Sequence, residues 1–252
     1  MKRTTNGFRN LILLAMFGSW LTTCQQMPVQ SPRKAPQPER ELNTPAYLED
    51  ALAWDSTENR WIFFSWRGTL GTDGCKLYIN VHDAPGEVPE NFNSTDVKAA
   101  LRYGSEQWRN AIREGGIDCQ MMLRFASEGE ELFTENPRID VIFDEVMAAG
   151  TARGNVLVTV DTAARKFLHV RMRIATTHLK NGVMTTMCRE DYFITFTHEF
   201  GHACGIYCFD NCEGHSPNPN DVMYTPSRYA TLSDGDKQTI LRIMSSDAFY
   251  KP

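Results

Sequence analysis

HEFGHACGIYCFDNCEGHSPNPNDVMY, running from His198 to Tyr224, is the stretch that decides how the rest of this chain is read. Upstream of it, Asp191 to Cys204 mixes apolar and polar residues without a proline, which predicts a helix. On a helix, residues four apart share a face, about 6 Å apart along the axis. His198 and His202 then present two imidazoles side by side, able to grip one metal ion. Glu199 sits one position round, beside such an ion rather than on it, where a general base for water belongs.

Two histidines do not complete a catalytic site; three protein ligands and an open position do. Gly205 can take a backbone conformation closed to other residues, end the helix and turn the chain back. A third ligand should follow soon after. In the compact spacing H-E-x-x-H-x-x-G-x-x-H it falls on Cys208, and a thiolate binds zinc well. The next histidine is His215, within Gly214-His215-Ser216. A bare H-E-x-x-H is a weak signal, but Gly205, His215-Ser216 and Met223 together make coincidence a poor explanation.

With Tyr207 to Glu213 set aside, the remainder reads HEFGHACGI-GHSPNPNDVMY. This resembles the zinc motif and methionine turn of the metzincin metalloproteases, matrixin-like branch. Counting back from Met223, the resemblance implies His215 as the third ligand. It puts Cys208 in an insertion that also carries Cys212. It further implies one catalytic Zn²⁺ on His198, His202 and His215, and Glu199 as general base for a zinc-activated water. Met223 is then an apolar floor under the ligands, and Tyr224 a packing residue. The activity implied is that of a zinc-dependent endopeptidase acting on protein or peptide substrates. The rival is a catalytically silent zinc-binding surface lipoprotein, an adhesin or scaffold, which would have no need of Glu199. Matrixins often carry a structural Ca²⁺ or second Zn²⁺. His82, His169 and His178 show no recognisable spacing for one and are assigned to surface or core.

The N-terminus predicts export. Lys2, Arg3 and Arg9 precede an apolar run from Leu11 to Leu21, shorter than the roughly 20 residues a spanning helix takes. Residues 1–23 read as a signal peptide. Leu21-Thr22-Thr23-Cys24 resembles a bacterial lipobox, which implies a lipid on Cys24 and attachment to a bacterial membrane. Gln25 points to the outer membrane, and a secreted chain cleaved nearby is the alternative. Of the seven cysteines, those other than Cys24 are Cys75, Cys119, Cys188, Cys204, Cys208 and Cys212. An even number in an exported chain predicts up to three disulfides, with connectivity left open. The formal charge is −5, and the charged residues of 1–23 are all basic, so the remainder is more acidic still. That excludes a basic nucleic-acid-binding face, and a monomer is expected.

Residues 24–45 are rich in Pro, Gln, Arg and Glu, and read as a flexible tether. Residues 46–252 suffice for one catalytic domain. Strands are predicted at Lys76–His82, Gln120–Phe125, Ile139–Phe143, Val156–Val160 and Phe167–Ile174. Helices are predicted at Val97–Arg113, behind caps at Asn93 to Asp96, and at Asp234–Met244 behind a cap in Thr231-Leu232-Ser233. With the histidine helix this order gives an α+β class: a twisted mixed sheet, three main helices and a methionine turn. The metzincin resemblance adds that an edge strand, here Val156–Val160, lines the cleft and pairs with substrate. Asp221 is positioned to brace the turn before Met223. Trp54, Trp61, Phe63, Phe64 and Trp66 form an aromatic cluster read mainly as core, with a binding surface as the lesser reading.

Overall fold

The computed structural model describes residues 52–55, 60–70, 74–84, 92–147, 152–161, 166–207 and 214–245. The segments expected to be a signal peptide and a tether lie outside the described residues with Cys24, as do Cys208 and Cys212. Chain order is β1 (Leu52–Asp55), β2 (Arg60–Phe63), β3 (Arg67–Leu70), β4 (Gly74–Val81), α1 (Ser94–Glu114) and β5 (Cys119–Phe125). There follow β6 (Arg138–Val146), β7 (Gly154–Asp161), β8 (Lys166–Lys180), β9 (Val183–Thr186), α2 (Arg189–Cys204) and α3 (Asp234–Ser245). No helix among the described residues is long and apolar enough to cross a membrane.

β4 is buried along nearly its whole length, as a strand covered on both faces must be. It pairs in parallel with β5 over Cys75–Val81 and with β6 over Tyr78–Val81. A strand has two edges, so β5 and β6 flank it on opposite sides. β6 pairs in parallel with β8, and β7 pairs antiparallel with β8. The main body of the sheet therefore runs β5-β4-β6-β8-β7, with β3 against the start of β4 and β9 against the end of β8. This mixed sheet with three helices agrees with the expected α+β class. Among the described residues β7 has a strand partner on one side only, which makes it an edge.

Each predicted strand and helix is present, with ends shifted by a few residues. α1 starts where Asn93 accepts hydrogen bonds from the Thr95 and Asp96 amides (3.0 and 3.4 Å). Its buried stripe of Ala100, Leu101, Trp108 and Ile112 follows the helical repeat read from the sequence. Gly104 lets α1 approach α2 closely: a Cβ there would stand 3.1 Å from the Thr197 nitrogen and 3.2 Å from a Phe200 ring carbon. Trp108 Nε1 donates to the Thr197 carbonyl at 2.7 Å, fixing the two helices in register.

β1, β2, β3 and β9 were not legible in the sequence. They are four-residue strands, too short to show periodicity. β8 also runs past Ile174 to Lys180, because Thr176 and His178 are buried there despite being polar. In the aromatic segment, Phe64 and Trp66 are core. Trp66 stacks on Phe167 (5.4 Å between ring centroids), and its Nε1 donates to the Ala203 carbonyl at 2.8 Å. This segment thus props the C-terminal end of the histidine helix. The side chains of Trp54, Trp61 and Phe63 lie outside the described residues.

Candidate metal centre

α2 is buried on nearly every side, so its polar side chains need partners. At its start, Asp191 accepts from the Cys188 amide and thiol (both 3.1 Å), tying the first turn. At its end, Gly205 adopts φ +129°, and the Gly205 and Ile206 amides return to the His202 and Gly201 carbonyls. That turn aims the Ile206 carbonyl back at His202.

Three histidines converge beyond it. His198, His202 and His215 offer ligand nitrogens all within 4.8 Å of one another. The His198–His202 and His198–His215 Nε2 separations are both 3.2 Å. Two nitrogens held about 2.0–2.1 Å from one ion in tetrahedral geometry stand about 3.3–3.4 Å apart. The tautomers sharpen this. His198 Nδ1 lies 2.7 Å from the Val222 carbonyl, and His202 Nδ1 lies 2.7 Å from the Ile206 carbonyl. A carbonyl only accepts, so both Nδ1 atoms donate, and both Nε2 atoms of the neutral rings carry lone pairs. Lone pairs facing each other across 3.2 Å cannot hydrogen-bond; they suit a cation between them.

Protonation does not supply that cation. Burial, with His202 and His215 adding to it, holds His198 well below its ordinary value of 6.5. Burial brings His202 down to about 4, and burial with the nearby His202 brings His215 to about 3. At neutral pH all three are ligands ready for a metal ion. Thr225 Oγ1, 3.1 Å from His215 Nε2, borders the same space. Of the two positions the sequence offered for a third ligand, the fold brings His215 to the helical pair, while Cys208 lies outside the described residues.

Glu199 is 5% exposed, and its Oε2 is buried with no hydrogen-bond partner among the described residues. Burial pushes its carboxyl up to about 8, with the Arg153 guanidinium pulling the other way. The carboxylate packs on Gly154, the first residue of β7. A Cβ at Gly154 would lie 2.6 Å from Glu199 Oε1. Arg153 donates to Asp191 Oδ1 (3.3 Å) and to the Ser227 carbonyl (2.9 Å), joining the start of β7, the start of α2 and the segment after Met223.

Compared with protein-family models the chain matches none, and it matches no curated protein sequence.

The Met223 turn lies under the histidines. A Cβ on Gly201 would come within 2.2 Å of Met223 Sδ, so this helical glycine makes room for the methionine. Met223 is fully buried and Tyr224 half-buried. Asp221, singled out in the sequence as a brace, accepts from Ser216 Oγ (2.5 Å), Asn218 Nδ2 (3.0 Å) and Ser233 Oγ (2.7 Å). Asp236 was missed. It accepts from the Val222 and Met223 amides (2.8 and 3.2 Å) and from the Ser233 amide (3.0 Å). Burial pushes its carboxyl up, and these amide donors pull it back. The available signal was the Ser233-to-Asp236 capping spacing, which marks a helix start but not a reach into a distant turn.

His82 and His169 both meet Asp140 on the sheet (3.2 and 2.6 Å), with Arg138 and Asn80 on the same carboxylate. His178 lies 3.6 Å from Asp191. His82 and His169 are thereby accounted for by the Asp140 carboxylate, whereas the buried His178 Nε2 has no hydrogen-bond partner among the described residues.

Proposed function

We propose that this chain is a zinc-dependent endopeptidase of the metzincin type, matrixin-like branch, holding one zinc on His198, His202 and His215. The observation that carries the reading is the pair of carbonyl-locked tautomers. Both leave Nε2 lone pairs converging with His215 on one point, with a buried carboxylate next in sequence. Three imidazoles suit Zn²⁺ and leave a fourth position open.

A zinc ion held there supplies Lewis acidity, both towards a scissile carbonyl and towards water. Glu199 takes the proton from the attacking water and later gives it to the leaving amine. A carboxyl raised towards neutrality can do both, and a nearby divalent cation draws it back towards the ionised form. The exposed edge of β7 suits an extended peptide, whose backbone would add to the sheet. Because β7 begins at Gly154, against Glu199, a chain laid along it runs towards the general base. Lipid attachment at Cys24 is proposed with this reading, and mass spectrometry of the N-terminal peptide tests it.

The deciding experiment is metal analysis together with chelator-sensitive cleavage of casein. Wild type should hold about one zinc per chain and cleave. Glu199→Ala should keep zinc and lose turnover by about 10²–10⁴-fold. His215→Ala should lose both, and Cys208→Ser neither. Zinc bound without any cleavage would favour the silent lipoprotein. Zinc lost from Cys208→Ser but retained by His215→Ala would overturn the ligand set.

A further inference from the structure

We infer that Cys75 and Cys119 form a structural disulfide joining β4 to β5. The two residues are register partners at the start of a parallel strand pair. Neighbouring strands lie about 4.7–4.9 Å apart, inside the roughly 4.4–6.8 Å that disulfide-bonded Cα atoms span. Register partners project their side chains on the same face of the sheet. Here that face is the core, where Cys75 is 0% and Cys119 2% exposed. The two thiols lie close enough to influence each other's ionisation, and the Cys75 amide donates to the Asp118 carbonyl at 2.8 Å. With the Cα atoms already in range, bringing the sulfurs to bonding distance takes only local side-chain movement.

The other described cysteines fit less well. Cys204, at the end of α2, is buried near the pair, but it is register partner to neither. The Cys188 thiol donates to Asp191. Contact with Cys119, then burial, pushes the Cys75 thiol up, so it is a poor nucleophile once folded. Two thiols give up two protons and two electrons to a disulfide oxidant, such as oxidised glutathione. The Cys75–Cys119 bond forms, the oxidant's own disulfide breaks, and two oxidant thiols result. The crosslink fastens β5, which pairs with β4 alone among the described residues.

The test uses the full chain, refolded from the reduced, denatured state with reduced and oxidised glutathione. It is then denatured, alkylated without reductant, digested with trypsin and mapped by mass spectrometry. The expected product is peptide 68–76 linked to peptide 114–124, separating on reduction. Free, alkylated Cys75 and Cys119, or either residue joined to Cys204 or another cysteine, would overturn the inference. In Cys75→Ala, Cys119 should become fully alkylated while the other cysteines keep their wild-type state. Should that variant not fold, the wild-type map still decides. None of these readouts depends on a metal ion or on proteolysis.

Discussion

Replacing Gly201 with alanine tests how the Met223 turn supports the histidine helix. On propensity alone, alanine in a helix interior gains about 1 kcal/mol over glycine. The structure argues for the opposite sign. The new Cβ would lie 2.2 Å from Met223 Sδ, 3.1 Å from Met223 Cε and 2.7 Å from Trp108 Cζ2. Met223 and Trp108 are both fully buried, and Trp108 is tethered by its 2.7 Å bond to the Thr197 carbonyl. Overpacking of this kind costs about 1–3 kcal/mol. Straining the tryptophan bond adds up to about 1 kcal/mol. Set against the propensity gain, the net expectation is a loss of up to about 3 kcal/mol, centred on about 1.5 kcal/mol, or a melting temperature lower by roughly 3–6 °C for a domain of this size. Metal affinity should fall too, because the displaced turn carries the Val222 carbonyl that orients His198; about tenfold or more is expected for such a supporting contact. Thermal melts and zinc titration of Gly201→Ala, Met223→Ala and the double variant provide the assay. Removing the Met223 thioether should relieve the clash, giving a favourable coupling of about 1–2 kcal/mol. An unchanged or raised melting temperature for Gly201→Ala would refute the reasoning.

Gly154→Ala should leave zinc content at wild-type level yet cut casein cleavage by about 10²-fold, because the methyl displaces the Glu199 carboxylate; equal cleavage would dissociate β7 from the general base. Asp236→Ala should cost about 3–5 kcal/mol in denaturant unfolding, as buried amides of the Met223 turn lose their acceptor. The chelated, metal-free protein should lose stability as pH falls from about 6.5 towards about 4. In that window the unfolded histidines, with pKa near 6.5, take up protons that the buried His202 refuses. Urea melts across this range should show that slope flattened in His202→Gln.

The legible part of this protein was whatever repeats with a local period or binds through a local spacing. Trp108 and its neighbours announced α1 through helical repetition, and Asn93 and Ser233 marked helix starts by capping chemistry. His198, Glu199 and His202 were fixed by a single helical turn. Arg153, Gly154, Gly201 and Asp236 escaped notice because each acts on a residue distant in the chain or across a helix–turn contact. A glycine's role as empty space, in particular, exists only once Met223 or Glu199 is packed against it.

By itself, the sequence determined the three long helices, the principal strands and the pair of helical histidines, since hydrophobic period and i, i+4 geometry act within one element. It left the third ligand open between Cys208 and His215, and it left every cysteine pairing open. Only the tertiary structure brought His215 to the helical pair, locked the imidazole tautomers on the Val222 and Ile206 carbonyls, and set Cys75 beside Cys119. Apart from the His202–Ile206 contact, which closes within one turn, those are meetings between segments well separated in the chain. Their partners are chosen by how the sheet and helices close around one core, and no local pattern records that choice.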